Sequence, residues 1–234
     1  MALLRPGGHA LTDRGLELAG LWPGSRMLDI GCGEGDTVAY LQDEKGMQAE
    51  GIDMNLVRIS RAKELHPGIN VSFGDGEFLD NYTSYTFDGI LMESSLSLIN
   101  MPDEAMHEAW CVLKKGGKLI ISDLYEKDPD RKQMQAVRIE AERQSRMPHK
   151  EGDCEDRGLK YVSFRFEGAF YQRPLIRQLE ETGFQIIAVE DHTPELEEWL
   201  NQQSLSQLNQ YLKTEIGGLK RNIGYCQIVA AKPL

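Results

Sequence analysis

Cysteine is scarce in this chain, and its four cysteines, Cys32, Cys111, Cys154 and Cys226, stand far apart. None of them pairs with another at the Cys-x-x-Cys spacing that is typical of zinc sites and dithiol redox motifs. Cys111 follows His107 by one helical turn, but no second such pair accompanies them, so the spacing favours packing and we expect no metal site. The cysteines indicate a reducing compartment.

Long hydrophobic runs are also missing. No apolar stretch approaches the roughly 18 residues that a membrane-spanning helix needs. No basic segment followed by an apolar one opens the chain in the manner of a secretion signal. From these absences we expect a soluble protein of the cytoplasm without a membrane partner.

Positive charge is in short supply. The 234 residues include 26 Lys and Arg against 37 Asp and Glu, which gives a formal net charge of -11. Because binding to a nucleic-acid backbone depends on clustered cations, this balance disfavours nucleic acid and favours a small molecule as the partner. The length suffices for one sizeable core and no low-complexity linker divides it, so we expect a single domain over residues 1–234.

The most informative stretch is Met27 to Asp36, which reads M-L-D-I-G-C-G-E-G-D. A buried-strand pattern, alternating glycines and a helix-compatible segment follow one another, as in the nucleotide pockets of α/β sheets. The spacing is Gly-x-Gly-x-Gly, whereas dinucleotide loops have Gly-x-Gly-x-x-Gly. In addition, Glu34 and Asp36 would repel a pyrophosphate at the helix start. A ligand without phosphate fits better, so a nicotinamide-dependent oxidoreductase is the lesser alternative.

Short β-rich runs alternate with helical stretches along most of the chain. This order is typical of a parallel sheet that is covered by helices on both faces. The predicted strands are 26–30, 48–53, 70–73, 87–93, 118–122, 184–190 and 223–231. The predicted helices around them are 11–21, 38–45, 56–66, 103–113 and 174–182.

Three segments stand outside this alternation. Residues 1–24 are predicted to form an N-terminal helical lid, and the charged and aromatic segment 125–171 a cap insertion. In 194–213, leucines recur at near-helical spacing, which predicts an extra helical segment. We expect that segment to pack within the protein, but a contact between two copies stays open, so the chain is a monomer or a homodimer.

Four blocks of sequence carry a family resemblance. They are L-D-I-G-C-G-E-G, G-I-D-M-N, F-G-D-G-E-F, and F-D-G-I-L-M-E followed by V-L-K-K-G-G-K-L-I-I-S-D. In this order the chain resembles the class I S-adenosylmethionine-dependent methyltransferases that act on small molecules. The resemblance implies a Rossmann-like α/β fold with a doubly wound, mostly parallel seven-stranded sheet. It also implies one antiparallel strand near the C-terminal edge and a cofactor bound at the carboxyl ends of the strands.

The resemblance assigns the strand ends to S-adenosylmethionine. Asp29 would lie near the ammonium of the methionine portion. Gly31, Cys32 and Gly33 would form the turn beside the ligand, where glycine permits close approach. Asp53 would accept both ribose hydroxyls. The other assignments are Met54 on the adenine face, Asp75, Gly76 and Glu77 along the adenine edge, and Glu93 and Ser94 near the methionine end.

Two questions stay open at the acceptor side. Glu93 is either an acidic group that faces the substrate or a solvated strand end. The methyl acceptor is expected to meet the cap and the N-terminal lid, and His149 and Tyr171 are the candidates for an acid/base role. The candidates for substrate contact are His9, Tyr125, Tyr161, Phe164, Arg165 and Tyr171.

The sequence thus predicts methyl transfer from S-adenosylmethionine to a small-molecule acceptor, with S-adenosylhomocysteine as the product. A non-catalytic protein that binds S-adenosylmethionine for regulation is the alternative from another class. It stays open because a complete set of cofactor-binding motifs does not establish that the protein also binds and methylates an acceptor.

Overall fold

A computed structural model describes residues 5–127, 135, 165–166, 169–203 and 222–234. The strands are β1 Arg26–Ile30, β2 Gln48–Asp53, β3 Val71–Phe73, β4 Phe87–Glu93, β5 Leu113–Glu126, β6 Arg165–Phe166, β7 Ala169–Phe170, β8 Gln185–Asp191 and β9 Ile223–Ala231. The α-helices are α1 Gly8–Ala19, α2 Asp36–Asp43, α3 Leu56–Leu65, α4 Pro102–Val112, α5 Gln172–Thr182 and α6 Thr193–Gln202. A 3-10 turn covers Leu96–Leu98.

The long strands form one sheet in the order β3-β2-β1-β4-β5-β9-β8. The pairs from β3 through β5 are parallel, whereas β9 runs antiparallel to both β5 and β8. The mostly parallel sheet and its antiparallel strand near the C-terminal edge are therefore confirmed. The two-residue strands β6 and β7 add a short hairpin, which joins the sheet where Phe170 pairs with Tyr125.

Helices cover both faces of the sheet, which confirms the doubly wound architecture. On one face, Leu16 of α1, Leu41 of α2 and Ala62 of α3 pack with the strands. On the other, Trp110 of α4 and Leu179 of α5 belong to a second buried cluster. The long apolar runs of β4 and β5 follow from this arrangement, because strands that are covered on both faces are buried on both.

A smaller cluster holds α6 against the end of β5. Leu196 and Trp199 of α6 are buried beside Leu11, Leu124 and Tyr225. Helix α6 begins at Thr193 and ends at Gln202, within the first half of the predicted segment 194–213, and its buried apolar residues pack within the chain. Residues 204–213 of that segment lie outside the described residues, as does most of the predicted cap.

Several boundaries differ from those predicted, and for two of them the structure shows the cause. Helix α1 ends at Ala19 because Gly20 adopts a left-handed conformation and its amide turns back onto Glu17 O. Strand β5 is longer than residues 118–122 because Leu113 pairs with Phe87 and because its far end continues the ladder with β9. Tyr125, where the predicted cap begins, is therefore part of the sheet.

Candidate active site

The turn after β1 lies where the strand order reverses. From β1 the chain crosses to β2 on one side and later to β4 on the other, so a crevice opens at the carboxyl ends of these strands. The amides of Gly31 and Cys32 donate to Ile52 O at 2.8 and 3.0 Å, which closes the turn onto β2. Gly31 has φ of 83°, and a Cβ there would lie 2.4 Å from Ser95 Cβ. A side chain is excluded at this position, as the sequence pattern predicts.

The residues predicted for the methionine portion line one cleft of about 260 Å³. Asp29, from β1, and Glu93, from β4, bring two carboxylates into it. Thr37 and Arg58 also line it, although no sequence motif predicted them. The complete lining is Arg5, Asp29, Gly31, Cys32, Gly33, Glu34, Asp36, Thr37, Arg58, Glu93 and Ser94.

Glu93 is buried at the centre of a polar network. Its Oε2 pairs with Arg5 Nη2 at 2.6 Å and accepts from Thr37 Oγ1 at 3.1 Å. Its Oε1 accepts from Thr12 Oγ1 of α1 at 2.9 Å. The side chain of Glu93 is only 3% exposed, so it is not a solvated strand end. The network ties Arg5 and α1 to the cleft.

Asp29 lies in the same electrostatic environment. Burial and, after it, the charge of Glu93 together raise the pKa of its carboxyl to about 8, although Arg5 opposes them. A carboxyl in this environment is ready to ionise beside a cation. Burial likewise raises the pKa of the Cys32 thiol, which keeps that cysteine protonated. The arrangement suits an ammonium group in the cleft.

Asp53 ends β2 and supports the same turn. Its Oδ2 accepts from the Gly33 amide at 2.9 Å, and its Oδ1 accepts from the Asn55 amide at 2.7 Å. Asn55 in turn caps α3, because its side chain accepts from Val57 and Arg58 amides. The carboxylate is therefore held beside the glycine turn, and its contact with the ribose stays a prediction.

The residues assigned to adenine lie along the next strand end. The Asp75 side chain accepts from the Glu77 amide at 3.0 Å. The Glu77 carboxylate accepts the Asn100 and Met101 amides, both at 2.9 Å, so it anchors the approach to α4. A Cβ on Gly76 would lie 2.6 Å from Ile30 Cγ2, and Met54 is exposed. Their contacts with adenine stay predictions.

The structure places some acceptor-side candidates and leaves others outside the described residues. His9 lies at the lid, where Nε2 is 2.8 Å from Asp36 Oδ2 and the ring stacks on Tyr40 at 3.9 Å. Tyr125 donates to Asp191 at 3.2 Å, and Tyr171 is buried at the start of α5. For Arg165 only the backbone, in β6, is described. The candidates outside the described residues are His149, Tyr161 and Phe164.

One contact beside the cleft has no sequence signal. Ser94 adopts φ of 55°, a left-handed conformation that is uncommon for a residue with a side chain. Its amide donates to Ser122 O at 2.7 Å, and its Oγ lies 2.6 Å from Tyr225 Oη. Tyr225, on the antiparallel strand β9, therefore fixes a residue that lines the cleft.

A family comparison matches this arrangement. The methyltransferase domain family matches residues 22–165. This chain belongs to that methyltransferase family. The membership confirms the resemblance to class I S-adenosylmethionine-dependent methyltransferases, and the matched segment contains the turn after β1 and the ends of β2 and β4.

Curated relatives are similar over part of their length. The ubiquinone/menaquinone biosynthesis C-methyltransferase UbiE of Pseudomonas paraeruginosa is 34% identical over 131 residues, which are 51% of this chain and 50% of that protein. Phosphoethanolamine N-methyltransferase 1 of Arabidopsis thaliana is 31% identical over 50% of this chain and 24% of that protein. The chain thus spans half or less of these methyltransferases.

Solved structures share the fold of this methyltransferase chain. Phosphoethanolamine N-methyltransferase 2 of Haemonchus contortus, in complex with phosphomonomethylethanolamine and S-adenosylhomocysteine, has a TM-score of 0.67 at 20% identity. The match covers 100% of this chain and 55% of that one. The [4+2]-cyclase SpnF has a TM-score of 0.62 at 22% identity, and the match covers 96% of this chain and 81% of that one. At such identities the likeness establishes the fold alone.

The structure also bears on the expected lack of membrane-spanning helices and on the cysteines. Within the described ranges, no helix is both long and apolar enough to span a membrane. Among the described residues, Cys32 and Cys226 are free and buried. Cys111 Sγ lies 3.7 Å from His107 Nε2, so these two side chains share a helix face as predicted.

Proposed function

We propose that this chain transfers a methyl group from S-adenosylmethionine to a small-molecule acceptor and releases S-adenosylhomocysteine. One observation carries the proposal. Asp29, Asp53 and Glu93 come from three adjacent strand ends and lie around the glycine turn after β1. A side chain at Gly31 in that turn would clash with Ser95. Carboxylates suit the ammonium and ribose hydroxyls of this cofactor, and they disfavour the pyrophosphate of a dinucleotide.

The described residues fit the cofactor by their chemistry. Asp29 and Glu93 offer negative charge to an ammonium, and Asp53 offers acceptors to a ribose at the rim. When bound, S-adenosylmethionine supplies an electrophilic sulfonium methyl group. The chain's task is then to orient the acceptor in line with that methyl and to exclude water, since positioning alone can supply about 7 kcal/mol or more.

The acceptor is a small molecule in this proposal. The charge of -11 gives little support for a nucleic-acid substrate. The curated relatives are named for methylation in quinone biosynthesis and of phosphoethanolamine. The proposal extends to a cytoplasmic enzyme that acts as a monomer or homodimer. His149 and Tyr171 remain the candidates for proton transfer, and the lid and cap residues the candidates for acceptor contact.

A solved structure with this fold is named as a [4+2]-cyclase, so the fold alone does not establish methyl transfer. The test is therefore a direct measurement of methyl transfer. Purified protein is incubated with methyl-labelled S-adenosylmethionine and a panel of quinols, phosphorylated amino alcohols and hydroxylated metabolites. Label in one acceptor supports the proposal. Tight cofactor binding with no label in any acceptor would favour the regulatory alternative. Binding of NADH instead of S-adenosylmethionine in calorimetry would favour the oxidoreductase and overturn the proposal.

A further inference from the structure

Arg5 is the one cation whose side chain is buried within the described cleft. Its Nη2 contacts Thr12 Oγ1 and pairs with Glu93 Oε2 at 2.6 Å. Its side chain is 11% exposed, although it precedes the first helix. Arg58 also lines the cleft but is exposed on α3. The two guanidinium groups are therefore held very differently.

The Arg5 Nε–H has no acceptor among the described residues although it is buried. Leaving such a donor unpaired away from water is unfavourable, and more so for a charged group. The Glu93 carboxylate and Thr12 engage another nitrogen of the same guanidinium. The spare donor thus belongs to a residue that lines the cleft, and a ligand in the cleft can supply the missing acceptor.

Charge in the cleft indicates which ligand group that acceptor is. Glu93 provides negative charge for an ammonium, Asp29 provides a carboxyl that ionises beside a cation, and Arg5 provides positive charge for a carboxylate. An α-amino acid carries both groups on one carbon. In the methionine end of S-adenosylmethionine, the positive ammonium therefore complements the acidic side chains and the negative carboxylate complements Arg5.

We infer that Arg5 binds the carboxylate of the cofactor's methionine portion through its spare Nε–H, so that Arg5 holds the amino-acid end of the ligand. The inference rests on the proposed function and deepens it. Thr12 of α1 contacts both Arg5 and Glu93, which couples α1 to the binding of the carboxylate. Ligands without the carboxylate, such as decarboxylated S-adenosylmethionine, keep the ammonium but lose this contact.

The test is the ratio of two affinities in one protein. Calorimetry compares S-adenosylmethionine with its decarboxylated form, in the wild type and in Arg5→Gln. A hydrogen bond to a charged group contributes about 1.5–3 kcal/mol, so the wild type should prefer the carboxylated ligand by about tenfold to a hundredfold. In Arg5→Gln the ratio of the two affinities should fall close to one. A preference that is unchanged in this variant overturns the inference.

Arg14→Gln is the matched control. Arg14 lies on α1 and pairs with Glu17 and Glu190, so its loss loosens the lid without touching the cleft. It should keep the wild-type preference. Arg58→Gln separates the two arginines that line the cleft, and loss of the preference there with retention in Arg5→Gln would assign the carboxylate to Arg58 and contradict the inference.

Arg5→Gln leaves Glu93 buried without its partner, which can destabilise the fold. The double variant Arg5→Gln/Glu93→Gln removes that unpaired charge, and its affinity ratio gives the same readout because both ligands lose Glu93 equally. The ratio also separates this inference from the proposed function. If the wild type binds neither ligand, the proposed function fails; if it binds both equally well, only the role of Arg5 fails.

Discussion

A buried carboxyl at the end of β1 makes the stability of the unliganded protein depend on pH. Asp29 has a pKa of about 8, above its ordinary 3.8, because of burial and the charge of Glu93, with Asp53 adding to the effect and Arg5 opposing it. The folded protein therefore holds a proton that the unfolded chain releases. The resulting stability is fully present below the unfolded pKa and is lost as the pH rises through about 8.

Between pH 6 and pH 8 this carboxyl should lower the free energy of unfolding of the unliganded protein by up to about 2 kcal/mol. Asp29→Asn keeps a neutral side chain of the same shape and should remove this part of the pH dependence. Thermal unfolding of both proteins over this range checks the expectation. Equal pH slopes in the two proteins would show that Asp29 does not titrate there.

Asp53 is the residue on which the ribose assignment depends. Asp53→Ala removes the acceptors at the rim of the crevice and the contact with the Gly33 amide. Since a hydrogen bond to a charged group contributes about 1.5–3 kcal/mol, the affinity for S-adenosylhomocysteine should fall at least about tenfold. Asp80, which is exposed, gives the control variant Asp80→Ala, which should bind as the wild type does. Unchanged affinity in Asp53→Ala would refute the assignment.

The sequence predicted the strand-end acids and not their partners. Asp29, Asp53 and Glu93 follow recognisable strand patterns, so their meeting at one edge follows from the parallel order. The pairing of Glu93 with Arg5 joins residues 88 positions apart, and that of Ser94 with Tyr225 joins residues 131 apart. Periodicity carries no information about such side-chain contacts, because they depend on the packing of remote elements.

At the scale of elements, α1 lies very close to the sheet. A Cβ on Gly15 would lie 2.8 Å from Ile120 Cγ2 and 3.0 Å from Gln227 Nε2. Gln227 also donates to Leu11 O at 2.9 Å and to Ser122 Oγ at 3.0 Å. A glycine in mid-helix, which costs helix propensity, is explained by this contact between the lid and the sheet.

Gly15→Val should therefore destabilise the protein although valine is the better helix former. Overpacking of this kind costs about 1–3 kcal/mol, and each kcal/mol lowers Tm by about 2–4 °C in a chain of this size. Ala10→Val, at an exposed position of the same helix, is the control and should change Tm little. Equal melting temperatures of the two variants would contradict the close packing of α1.

Element boundaries were predictable where the chain carries its own signals. The strands predicted at 26–30, 48–53, 87–93 and 223–231 have those bounds in the structure. The extension of β5 through Gly116 was not predictable, because two glycines after a helix normally indicate a turn. Its pairing with β4 and β9 supplies the stabilisation that local sequence lacks.

At the scale of the whole molecule, the strand order reverses beside β1, which brings the carboxyl ends of β1, β2 and β4 next to one another. The antiparallel β9 contributes as well, since Tyr225 holds Ser94 and Gln227 holds α1. The sequence indicated the sheet and its cofactor edge through four motifs in order. The acceptor side is predicted to involve residues 1–24 and 125–171, whose sequences carry no comparable motif.

The central claim is that carboxylates at neighbouring strand ends surround one S-adenosyl amino acid. A crystal structure with S-adenosylhomocysteine tests it most directly. The account predicts the ammonium beside Asp29, the ribose hydroxyls on Asp53, and the glycine turn against the ligand between them. Electron density for the ligand away from the carboxyl ends of β1, β2 and β4 would contradict it.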